Sequence, residues 1–168
     1  TDSTYDAGTT TQLMWGARSD VGCVRPHNED SYLVQSPLFC VCDGMGGHAA
    51  GEVASSIAVE TIAKTAPQAA DAARLAAAVE AANAAVIEAA LNGLGKPGMG
   101  CTATCAYIEN DMLAIAHVGD SRAYLLHEGT LIRVTRDHSY VEELVEAGEI
   151  TADEARVHPN RSVITRAL

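Results

Sequence analysis

The sequence predicts an α+β fold, with strands and helices in separate blocks. Three observations carry this. Short apolar runs of strand length occupy the first quarter of the chain, two long stretches of helical period follow, and further strand runs joined by tight polar links come next. Alternating βαβ units would interleave the two kinds of element instead. With 168 residues, 48% of them hydrophobic, the chain is sized for one domain with a core of its own.

Thr1 to Thr10 is polar and lacks a periodic apolar pattern, so it is expected to be a mobile lead-in to a domain over 11–168. Gln12 to Arg18 fits a strand. Ser31–Gln35 and Leu38–Cys42 are two more, split by Ser36-Pro37, because proline cannot donate to a ladder. Glu52 to Thr65 is helical and stops before Pro67. From Asp71 to Asn92, Leu75, Val79, Ala82, Val86 and Ala89 fall on one helix face. Asp71 suits the start of that helix and Gly93 its end. Its many alanines predict close packing, here assigned to a sheet. After the loop Lys96–Gly100, the runs Cys101–Ile108, Met112–Val118, Ala123–His127 and Thr130–Val134 predict an antiparallel meander, linked by Asn110-Asp111 and Glu128-Gly129. Tyr140–Ala147 and Thr151–Val157 read as short acidic helices with solvated faces.

Composition narrows the function. Eleven basic residues against 22 acidic ones leave a formal charge of −11 and a pI near 4.8, which disfavours binding to nucleic acid. No apolar run reaches the ~20 residues of a membrane-spanning helix. Five cysteines are an odd count that disfavours a secreted disulfide framework; Cys40, Cys42, Cys101 and Cys105, in strand-like apolar runs, read as buried reduced thiols, and a cytoplasmic protein is expected.

Polar residues that suit neither a core nor a plain turn gather in three places: Arg25-Pro26-His27-Asn28-Glu29-Asp30, Asp43-Gly44-Met45-Gly46-Gly47-His48 and Gly119-Asp120-Ser121-Arg122. The second and third follow apolar strand runs directly, and strand ends are where a rigid scaffold presents functional groups. Each alone has a structural reading as turn, cap or strand terminator. Brought together, their carboxylates would repel unless a cation joined them, and hard divalent ions with oxygen ligands are the usual answer. No clustered His/Cys set argues for structural zinc.

These three motifs, with Asp137-His138-Ser139 and the ending His158-Pro159-x-Arg161-x-x-Ile164-Thr165-Arg166-Ala167-Leu168, resemble the PPM (type 2C) metal-dependent protein serine/threonine phosphatases in their bacterial form. The motifs stand in the family's order from Gln12 to Leu168. The resemblance implies two antiparallel β-sheets sandwiched between helical layers. It implies that Asp43 bridges two Mn²⁺ or Mg²⁺ ions, that Gly44 offers its carbonyl, and that Glu29 and Asp30 hold metal-bound waters. Asp120 matches the acid at a third metal position, and Arg25 the clamp on substrate phosphate, where a guanidinium fork matches two phosphate oxygens. The implied reaction is hydrolysis of phosphoserine and phosphothreonine in proteins by a hydroxide bridging the ions. The implied partners are a signalling phosphoprotein and a Ser/Thr kinase that the enzyme opposes.

His48 is the candidate general acid, although some members place that histidine directly after Asp-Gly, where Met45 stands here. His117 and His127 read as strand residues and His158 as a loop residue. The acidic segment from Tyr140 to Val157 corresponds to the family's flap beside the site. The family's domain continues past Leu168 to further metal-binding aspartates, so this chain is expected to lack the C-terminal part. A non-catalytic binding module, or an inactive fragment on the same fold, is therefore the rival reading.

Overall fold

The computed structural model describes residues 3–10, 12–47 and 49–168. The chain starts with strand β1 (Ser3–Thr9), paired antiparallel with β2 (Met14–Asp20). The expected lead-in is thus a strand over most of its length: backbone pairing with β2 supplies the order that the polar side chains do not. Next come β3 (Asp30–Gln35) and β4 (Leu38–Met45), turned at Ser36-Pro37 as expected. β4 runs three residues beyond the predicted Cys42, so Asp43 and Gly44 lie within the strand and not after it.

Helices α1 (Ala50–Thr65) and α2 (Ala72–Leu91) follow, the second capped by the Asp71 side chain, which accepts from Arg74 N at 3.0 Å. The predicted run Cys101–Ile108 is broken at Thr102 into β5 (Gly100–Cys101) and β6 (Ala103–Glu109), and β7 (Met112–Val118) falls where predicted. Then come β8 (Tyr124–His127), β9 (Thr130–Arg133), α3 (Tyr140–Glu146) and α4 (Ala152–Val157).

One five-stranded antiparallel sheet organises these parts, in the order β3-β4-β6-β7, with β5 paired to β4. Its register lines up Leu33, Cys40, Cys105 and Ala116 in a row across the four long strands. That face is sealed by helices. Ala54, Ala58 and Ile62 of α1 and Leu75, Ala82 and Val86 of α2 are buried to 1% exposure or less. The alanines of α2 pack it against α1 as well as against β7, so its neighbour is a helix in addition to the expected sheet. Residues that alternate with the core set, Phe39, Val41 and Asp43, point to the other face, where Trp15 of β2 meets Phe39 edge-on with ring centroids 5.9 Å apart.

The expected meander is not continuous. β8 and β9 pair only with each other among the described residues, around Glu128 and Gly129, both at positive φ as a tight hairpin turn requires. The α+β class with antiparallel sheets is therefore as predicted, but outside the five-stranded sheet the strands form two separate hairpins.

Candidate metal and phosphate site

The site is assembled where β3 begins and β4 ends. The ladder sets Asp30 directly opposite Asp43. Asn28 stiffens the approach: its Oδ1 accepts from Asp30 N at 3.0 Å, and its Nδ2 donates to Ser19 Oγ at 2.8 Å. Gly44 N donates to the Glu29 carbonyl at 3.2 Å, and the buried Ser55 hydroxyl of α1 donates to that same carbonyl at 2.7 Å. Glycine is required at position 44, since a Cβ there would overlap the carbonyls of both Gly51 and Glu29. Gly51 is the counterpart on α1, where a Cβ would lie 2.8 Å from the Gly44 carbonyl carbon. Backbone meets backbone here, and that approach ties the first turn of α1 to the strand that carries Asp43.

The Asp43 backbone is held by one residue. Thr102 Oγ1 accepts from Asp43 N at 3.0 Å, and Thr102 N donates to the Asp43 carbonyl at 2.9 Å. Thr102 Oγ1 also lies 2.8 Å from Ser121 Oγ, which links Asp43 to the turn bearing Asp120. That turn is fixed from below: Gly119 N donates to His138 Nδ1 at 3.0 Å, and Arg122 grips the buried Asp137 carboxylate with Nε at 3.0 Å and Nη2 at 2.7 Å.

Arg25, Glu29, Asp43, Gly44 and Asp120 line one cleft of about 500 Å³. Asp30 reaches Asp43 from an adjoining recess of about 80 Å³. The structure thus brings together six of the seven residues proposed from sequence; His48 lies outside the described residues. Thr102 and Ser55 were not legible, because a buried hydroxyl in an apolar strand or an alanine-rich helix looks like any other core position. Arg161 also borders the cleft.

The electrostatics are those of a cluster of partly buried carboxylates that repel one another. Asp43 is pushed up to about 6, first by withdrawal from water within the cleft walls and then by the Asp30 carboxylate opposite, with Arg25 pulling the other way. Asp120 is also raised, mainly by burial, with added repulsion from Asp43 and Asp137. Glu29 Oε1 is buried without a hydrogen-bond partner, an arrangement that costs free energy unless a water or ion completes it. Among the described residues no three His, Cys, Asp or Glu side chains converge tightly enough to cage an ion on their own. An ion here would keep several waters, as Mg²⁺ commonly does. The all-oxygen donor set fits such a hard cation.

Neither α3 nor α4 buries any residue, as the solvated reading of this acidic segment expects. Glu142 of α3 pairs with Arg133 at 3.2 Å, and Glu146 pairs with Arg136. His117 lies in β7, stacked on His138, and His127 in β8, as read from sequence; His158 is the C-cap of α4.

The family pattern described as Protein phosphatase 2C matches residues 15–165, and the chain belongs to this family. The serine/threonine protein phosphatase PstP of Mycobacterium tuberculosis is 44% identical over 165 residues, which cover 96% of this chain and 32% of that protein. A crystal structure of the M. tuberculosis serine/threonine phosphatase PstP/Ppp superposes with a TM-score of 0.84 at 41% identity, covering 99% of this chain and 68% of that one. A second structure, the catalytic domain of PstP in complex with two manganese ions, gives a TM-score of 0.79 at 38% identity, over 98% of this chain and 66% of that one. The chain therefore spans about a third of the curated relative's length.

Proposed function

We propose that this chain carries a metal-dependent protein phosphatase site that hydrolyses phosphoserine and phosphothreonine in bacterial signalling phosphoproteins, opposing a Ser/Thr kinase in the cytoplasm. One observation carries the reading: Arg25, Glu29, Asp43, Gly44 and Asp120, distant in sequence, share one cleft that is lined by carboxylates and a guanidinium. The relatives named above are serine/threonine phosphatases, which supports the same reading.

The residues divide the work by chemistry. Asp43 and the Gly44 carbonyl would hold two Mn²⁺ or Mg²⁺ ions. Glu29 and Asp30 would accept from the waters around those ions, which gives the orphaned Glu29 Oε1 its partner. Asp120 would serve a third, weaker position. When bound, divalent ions supply Lewis-acid activation of water and neutralise phosphoryl charge. Arg25, exposed at the mouth of the cleft, binds two phosphate oxygens and orients the ester. Thr102 keeps the Asp43 backbone in register while charge changes hands beside it. The −11 chain repels a phosphate until cations occupy the cleft, so substrate binding follows metal loading.

The test is Mn²⁺ titration of the purified chain against a phosphothreonine peptide, with phosphate release as the readout. Phosphate release that rises with Mn²⁺ and disappears in Asp43→Asn supports the reading. Manganese binding seen by calorimetry with phosphate release at background would make this chain a non-catalytic binding module.

A further inference from the structure

On the helix-covered face of the sheet, away from Asp43, β4, β5 and β6 carry four free cysteines: Cys40, Cys42, Cys101 and Cys105. Each is at most 3% exposed. Cys40 Sγ lies 2.9 Å from Cys105 Sγ and 3.8 Å from Cys42 Sγ. The thiols do not converge on a metal-sized centre.

The ladder phase says more than the distance does. Cys40 and Cys105 are Cα partners. Two backbone bonds in the same register, Ile108 N to the Pro37 carbonyl and Thr102 N to the Asp43 carbonyl, mark hydrogen-bonded rungs on either side. Rungs alternate along an antiparallel pair, and Cys40 is three residues from both Pro37 and Asp43. Cys40–Cys105 is therefore a non-hydrogen-bonded rung. Such rungs bring opposed Cα atoms to about 4.5 Å and their side chains closest together. That falls inside the window of about 4.4–6.8 Å that a disulfide spans, so neither strand has to shift.

We propose that Cys40 and Cys105 form a redox pair, closed by a small hydroperoxide into a cross-strand disulfide that staples the strand bearing Asp43 to β6. The step balances. One sulfur attacks a peroxide oxygen as its thiol gives up its proton and becomes a sulfenic acid, while the second oxygen takes that proton and leaves as water. The other sulfur then attacks the sulfenic sulfur and expels a second water. Two thiols and one hydrogen peroxide give one disulfide and two waters, with two electrons passing from sulfur to oxygen. Burial under α1 and α2 selects a small uncharged oxidant over a bulky disulfide such as oxidised glutathione. The closed loop contains both long helices, and a cross-link over that span constrains the unfolded chain.

The experiment treats the reduced, folded chain with hydrogen peroxide or oxidised glutathione, then reads intact mass, a non-reducing peptide map and the melting temperature. Expected with peroxide are loss of two hydrogens, one cross-linked pair of peptides bearing Cys40 and Cys105, and a melting temperature raised by about 5 °C or more. Dithiothreitol reverses all three, and oxidised glutathione leaves the pair reduced. Cys42→Ala keeps the cross-link and Cys105→Ala loses it; the map of the unmutated chain decides the matter if a variant fails to fold. Oxygen added only at the exposed Cys23, or a cross-link formed only after unfolding in urea, overturns the proposal. None of these readouts depends on phosphate hydrolysis.

Discussion

Asp43 holds its proton more tightly in the fold than in the unfolded chain, since its pKa rises from 3.8 to about 6. Between these values the unfolded state ionises first, so without metal the stability contributed by this group falls as pH rises through that window and stays lost above it. Asp43→Asn removes that dependence. The metal-free variant is expected to be more stable than the parent at neutral pH by about 1 kcal/mol, after allowing for solvent screening of an open carboxylate. Phosphatase activity is expected to disappear in the same variant. Chemical denaturation at acid and neutral pH checks the first outcome and phosphate release the second. Thr102→Val keeps the shape but leaves Asp43 N without its acceptor, and it should cost about 1–3 kcal/mol by urea unfolding.

Among the elements, the junction of β4 with α1 sets the tightest tolerance. At Gly44 a methyl group would displace two backbone carbonyls, so neither rotamer change nor side-chain relaxation can accommodate it. Gly44→Ala is expected to destabilise by about 3 kcal/mol, seen as a lowered urea midpoint, and to weaken manganese binding because α1 must move off β4. Asp71→Ala, which removes a cap on the far side of the helical layer, should cost only about 1 kcal/mol and leave metal affinity unchanged by calorimetry. The contrast separates damage to the site from damage to the fold.

For the molecule as a whole, a divalent cation seated in the acidic cleft of a −11 chain is expected to stabilise the fold. Manganese competes with protons for the carboxylates, so the rise in melting temperature on adding Mn²⁺ should be larger at about pH 7.5 than at about pH 5. Equal rises at both values would place the ion away from Asp43. The β8–β9 hairpin leaves Leu125 and Ile132 exposed on one side and Leu126 and Leu131 on the other, with no cover over either pair among the described residues.

Strand and helix positions were readable because local apolar period and cap chemistry act over a few residues: Met112–Val118 and the Asp71 cap fall where the pattern puts them. The motif residues were readable for a related reason, since acids, arginine and glycine at strand ends have no ordinary structural use in such numbers. Strand Ser3–Thr9 was missed, because what orders it is pairing with Met14–Asp20 and not its own side chains. The split at Thr102 and the isolation of β8–β9 were equally hidden. Local chemistry along the chain was enough to find the helices and the three polar clusters, while the resemblance to the family picked out the acids and the arginine within them. Which strands pair, that Asp30 faces Asp43, that Thr102 clamps it and that Cys40 meets Cys105 followed only from the fold, because ladder phase and close backbone approach join residues that no local pattern connects.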